Sequence, residues 1–136
     1  VERVERAVRN NEKIMVYGDY DVDGCTAVAL VYKFLRQIGH KNLMFYIPDR
    51  YTEGYGISVK GIDLAARKGV GLIIALDCGI KATEKVVYAK TKGVDFIICD
   101  HHLPAETNCR VAEWASSSCR PMRRKAGSRS NRSARC

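Results

Sequence analysis

Three aspartates stand at alternate positions, Asp19, Asp21 and Asp23, in the run GDYDVDG of residues 18–24. A fourth, Asp77, follows in ALDCGI, and Asp100, His101 and His102 stand side by side in DHHLP. Carboxylates and imidazoles hold divalent cations and move protons, so these three clusters are where chemistry would be done. Calcium is the first reading to test, because D-x-D-x-D-G opens the EF-hand pattern. That pattern needs a bidentate glutamate where this chain has Leu30, and an entering helix where KIMVYG reads as a short apolar strand. An EF-hand is excluded, and the carboxylates need another use.

The elements around the clusters supply one. KIMVYG reads as a strand, and residues 25–38 read as a helix whose apolar positions Ala27, Leu30, Val31, Phe34, Leu35 and Ile38 recur at helical spacing. Gly39 ends that helix, and His40 after it is expected to be an exposed cap residue. NLMFYI is a second strand closed by Pro48, SVKGIDLAARKG a helix closed by Gly69, and GLIIAL a third strand whose unbroken apolar run implies burial on both faces. Thr83 to Lys92 form a further helix stopped by Gly93, and DFIIC is a fourth strand. This alternation predicts an α/β fold, a parallel sheet of about four strands with helices on both faces.

In such a sheet the carboxyl ends of all strands lie on one edge, the edge at which open α/β sheets bind ligands. The first strand runs into Asp19, Asp21 and Asp23, the third into Asp77, and the fourth into Asp100, His101 and His102. Carboxylates brought together raise one another's pKa unless a counter-charge is supplied, and a divalent cation supplies it. Several carboxylates with one or two imidazoles suit Mn²⁺ or Mg²⁺. A cluster this rich could hold two ions, the usual device for attack on a phosphorus centre, so hydrolysis of a phosphoester or phosphoanhydride is the expected reaction.

Composition bounds the rest. The chain has 136 residues, one domain's worth, and 46% hydrophobic content is enough for a core. No apolar run approaches the roughly 18 residues of a membrane span and no signal-peptide pattern opens the chain, so a cytoplasmic protein without membrane contact is expected. The opening VERVERAVRN reads as mid-helix, and an upstream part is expected to be missing. The formal charge of +8 is unevenly spread: residues 1–108 hold 15 Lys and Arg against 14 Asp and Glu, whereas residues 109–136 hold 8 against 1. The division expected is therefore a domain over 1–108 and a basic tail over 109–136.

That tail has no strand or helix periodicity and carries three of the six cysteines. It reads either as a disordered arm that neutralises phosphates or as the product of a shifted reading frame after about Asn108, and its scattered Trp and Cys favour the latter. With no C-x-x-C pair there is no zinc signature, and Cys25, Cys78 and Cys99 are expected to be small buried residues.

GDYDVDG, ALDCGI and DHHLP, in this order and spacing, resemble the first three motifs of the DHH phosphoesterase superfamily over roughly residues 1–107. The loop IPDRYTEGYGIS at residues 47–58 resembles that of the branch acting as single-strand-specific 5′→3′ exonucleases. The resemblance implies that Asp21, Asp23, Asp77 and His101 bind metal, with Asp77 bridging two ions and Asp19 supporting the cluster or binding directly. It implies that Asp100 belongs to the metal cluster and orients the histidines, and that His102 contacts the scissile phosphate. Arg50 is the candidate for a second phosphate contact, and Tyr51 and Tyr55 could stack on bases. Single-stranded DNA is the implied partner and DNA repair or recombination the implied setting. The family's further metal-binding aspartate and smaller C-terminal domain lie beyond the matched stretch, so the chain is expected to resemble half of an active site, impaired as an isolated fragment. Two alternatives stay open: a relative cleaving oligoribonucleotides, cyclic dinucleotides or pyrophosphate, and a non-catalytic fragment.

Overall fold

A computed structural model describes residues 1–103 of the chain. Its elements are α1 (Glu2–Arg9), β1 (Lys13–Gly18), α2 (Val22–Gln37), β2 (Leu43–Tyr46), α3 (Val59–Arg67), β3 (Val70–Leu76), α4 (Thr83–Thr91) and β4 (Asp95–Cys99). The four strands form one wholly parallel sheet in the order β2-β1-β3-β4. Val16 stands opposite Phe45 on one side and Ile74 on the other, and Ile74 stands opposite Ile97.

Alternation along the strands divides the core. Ile14, Val16, Leu72, Ile74 and Leu76 pack with Ala7 of α1 and with Val28 and Leu35 of α2. Met15, Tyr17, Ile73 and Ala75 point the other way, toward Ile62 and Ala65 of α3 and Ala89 of α4. Helices thus cover both faces, as the sequence pattern requires. Arg3 ties α1 to the amino-terminal edge of the sheet, its guanidinium reaching Asp95 at 2.8 Å, Glu12 at 2.7 Å and the Gly71 carbonyl at 3.2 Å. Among the described residues no helix is long and apolar enough to cross a membrane. The tail expected over 109–136 lies outside the described residues.

Four local readings differ from expectation. Helix α2 begins at Val22, three residues early, because Asp21 serves as its N-cap. Its buried stripe is Gly24, Val28 and Leu35, while Leu30, Phe34 and Ile38, spaced four apart, line up on the exposed side. His40 is buried, not an exposed cap: Gly39 at φ 90° closes a Schellman turn, with His40 N–H donating to Leu35 O and Gly39 N–H to Arg36 O. That turn folds the residue after glycine back against the helix. Of the three described cysteines only Cys78 is buried, whereas Cys99, at the end of edge strand β4, is exposed.

Candidate metal centre

The chain reverses its strand order between β1 and β3, since β1 crosses over to β2 on one side and β3 lies on the other. This is the switch point at which the segments beyond the carboxyl ends part and leave a crevice. Asp19 leaves β1 there, and Asp77 leaves β3 beside it.

Asp19 is 2% exposed, and its Oδ1 has no hydrogen-bond partner. Burial raises its pKa, the Tyr20 N–H works against that, and the charges of Asp21 and Asp77 push upward again. Asp21 commits one carboxylate oxygen to the cap, Oδ1 accepting from Gly24 N–H at 2.8 Å. Gly24 is required for space: a Cβ there would lie 2.5 Å from Asp19 O and 2.7 Å from Asp19 N, both backbone atoms that cannot step aside. Asp23 is exposed in the first turn of α2, where a carboxylate also suits the helix dipole.

Asp77 has the left-handed φ of 58°, a conformation aspartate tolerates better than most side chains. Its N–H donates to Cys99 O at 2.8 Å, tying the ends of β3 and β4 together. His101 Nδ1 lies 3.1 Å from Asp77 Oδ1, yet that buried oxygen receives no hydrogen bond. Asp100 is fully engaged: Oδ2 accepts from Ile80 N–H at 3.0 Å, and Oδ1 from His102 N–H at 3.0 Å and pairs with His102 Nδ1 at 2.6 Å. Burial works to raise the Asp100 pKa, but these hydrogen bonds outweigh it and hold the carboxyl below its ordinary value. The same pairing raises the pKa of His102. The His101 and His102 rings stack, centroids 4.6 Å apart.

Asp77, Asp100, His101 and His102 each place a ligand atom within 4.8 Å of the others. Asp23, Asp77, Asp100 and His101 share the lining of an open cleft of about 560 Å³. Asp19 lies buried near Asp77, Asp21 is occupied by the cap, and Arg50 stands outside the cluster, its guanidinium 5.4 Å above the ring of Tyr20. Two contacts carried no signal in the sequence. Tyr55 Oη lies 3.5 Å from His102 Nε2, and Cys99 joins the cleft wall. Tyr51 is fully turned to solvent.

This donor set fits a hard divalent cation. Two buried carboxylate oxygens, on Asp19 and Asp77, lack donors, and such orphans are expensive unless a charge satisfies them. The buried thiol Cys78 has its pKa pushed up to about 12 by burial first and then by Asp19, Asp100 and Asp77.

A parallel α/β domain with carboxylates and imidazoles gathered at its switch point defines the class, and the chain's similarities name the family. Residues 13–131 match the model of the DHH family, N-terminal domain, and the chain belongs to that family. It is 42% identical over 103 residues to the single-stranded-DNA-specific exonuclease RecJ of Bacillus subtilis, covering 76% of this chain and 13% of that protein. It is 40% identical over 107 residues to RecJ of Salmonella typhimurium, covering 79% of this chain and 18% of that one. The chain therefore spans less than a fifth of the length of either relative. A crystal structure of exonuclease RecJ bound to manganese superposes with a TM-score of 0.71 at 33% identity, over 78% of this chain and 27% of the other.

Proposed function

We propose that this chain carries the carboxylate-rich part of a Mn²⁺- or Mg²⁺-dependent phosphodiesterase centre that degrades single-stranded DNA from its 5′ end. The observation that carries the reading is Asp77: its Oδ1 is buried and without a hydrogen bond, 3.1 Å from His101 Nδ1, and its carboxylate clusters with Asp100, His101 and His102. Asp77, His101 and Asp23 would hold the metal around the cleft, with Asp19 and the second oxygen of Asp21 beside them, where two ions fit a carboxylate set of this size. Divalent ions at such a site polarise the phosphoryl group and lower the pKa of water. Asp100 orients the His102 ring and favours its protonated form, in which Nε2 would offer a proton to a phosphate oxygen. Arg50, its guanidinium 5.4 Å above the Tyr20 ring, presents a second cation on the same edge. The likeness to RecJ favours single-stranded DNA over cyclic dinucleotides or pyrophosphate.

The test is incubation of the purified chain with 5′-phosphorylated single-stranded DNA and Mn²⁺, with Asp77→Asn as the control for contaminating nucleases. Because the chain spans less than a fifth of its relatives, slow release of mononucleotides from the 5′ end by the parent, and none by the variant, is expected. Equal release by both, or cleavage of cyclic dinucleotides alone, would overturn the reading.

A further inference from the structure

Residues 47–58 form a loop beside the candidate metal ligands, reaching Tyr20 between Asp19 and Asp21 near one end and His102 near the other. Near its start Arg50 stacks on Tyr20, next to Asp19 and Asp21. Near its end Tyr55 meets His102, edge to face with centroids 6.2 Å apart. Gly54 and Gly56 flank Tyr55 at φ 76° and 80°. A Cβ at either would meet nothing within 4 Å, so backbone conformation and not space calls for glycine there.

What fixes the span of this loop is one carboxylate turned inward. Glu53 accepts from Tyr46 Oη on β2 at 2.8 and 2.9 Å, from Ser58 Oγ at 2.5 Å and from the Asp49 N–H at 3.2 Å. Ser58 caps α3 through Gly61 N–H, and Tyr17 Oη bridges Gly56 O and Ser58 N–H, both at 2.9 Å. Glu53 thus joins the loop's beginning, its end and the sheet beneath, through neutral donors and, among the described residues, without an ion pair. Asp49 tightens the intervening turn by accepting from the Tyr51 and Thr52 N–H groups.

Building on the function proposed above, we propose that Glu53 is a positioning residue for substrate: it sets the distance between Arg50 and Tyr55, so that a single-stranded phosphodiester backbone is held across the cleft between them. Glu53 touches neither metal ligands nor substrate. Its loss should therefore separate strand binding from metal binding.

The experiment measures fluorescence anisotropy of a 5′-phosphorylated, 3′-labelled oligothymidylate with Ca²⁺ in place of Mn²⁺ to slow cleavage, alongside calorimetric Mn²⁺ titration and amide exchange. Glu53→Ala should weaken oligonucleotide binding about tenfold, leave Mn²⁺ affinity within about twofold, and speed exchange of amides 49–57 but not those of β1 and β3. In an Arg50→Ala/Tyr55→Ala background the same change should cost less than about twofold, a non-additivity that general loss of stability would not produce. Tyr46→Phe, which removes one donor and keeps the ring, guards against an unfolded variant and should weaken binding about two- to threefold. Unchanged binding in folded Glu53→Ala, or an equal loss in both backgrounds, overturns the proposal. If the parent binds Mn²⁺ but no oligonucleotide, the single-strand reading fails. Amide exchange then decides on Glu53: parental rates in the variant overturn its hold on the loop, and faster rates at 49–57 support it.

Discussion

His102 Nδ1 and Asp100 Oδ1 are 2.6 Å apart, and the same oxygen accepts the backbone N–H of His102 at 3.0 Å. One carboxylate therefore fixes both the ring and the peptide of its neighbour, and leaves Nε2 on the side of Tyr55, 3.5 Å from its hydroxyl. Replacing Asp100 by Asn removes the charge that raises the His102 pKa. The His102 imidazole resonance should then titrate at lower pH by NMR, and DNA cleavage should fall about 10- to 100-fold, as for other partners that orient a catalytic imidazole. A titration curve unchanged from the parent would contradict the pairing.

Asp77→Asn keeps the side chain's shape and its tolerance of a positive φ but removes the charge. Mn²⁺ binding should drop by at least about tenfold in calorimetry. Thermal stability should hold or rise, because a buried like charge beside Asp19 is gone. Lowered stability with intact Mn²⁺ affinity would show Asp77 to be a structural residue.

Gly24→Ala places a methyl 2.5 Å from the Asp19 carbonyl oxygen. Neither the first turn of α2 nor the end of β1 can move without disturbing Asp19 and the Asp21 cap. The expected loss is about 3 kcal/mol or more in urea denaturation, together with loss of Mn²⁺ binding.

Tyr17 is wholly buried, and its pKa rises to about 12, with burial the main cause and the hydrogen bond from Ser58 opposing it. Below pH 10 folded and unfolded states both keep the proton, so this stabilisation is fully present. Between pH 10 and about 12 only the unfolded state ionises, and the contribution is lost as pH rises. Stability should fall by about 2–3 kcal/mol across that window from this group, and the part due to Tyr17 should vanish in Tyr17→Phe. Chemical denaturation at stepped pH measures it.

Residues 1–103 build both faces of the core, and the last 28 residues carry 8 basic against 1 acidic side chain. Removing 109–136 is expected to shift the thermal midpoint by no more than a degree or two in calorimetry. A larger loss would show that the tail belongs to the domain.

The fold was legible in the sequence because apolar periodicity and helix-closing glycines are local signals. KIMVYG, GLIIAL and DFIIC lie within a residue of the strands found, and a parallel order by itself sets Asp19, Asp77 and Asp100 on one edge. Tertiary structure decided what those side chains do there. Asp21 reads in sequence as one of three equal carboxylates, yet it caps α2, while Asp100 spends both oxygens on Ile80 and His102 and Asp77 keeps one oxygen without a donor. Leu30, Phe34 and Ile38 fit a helical apolar spacing but face outward, because helix rotation is set by the close approach of Gly24 and Val28 to β1 and not by hydropathy alone. His40 and Glu53 look like surface residues in a string of letters. One is buried by a backbone turn and the other engaged by hydroxyls on β2 and at the start of α3, and such contacts between distant segments exist only once the chain has folded.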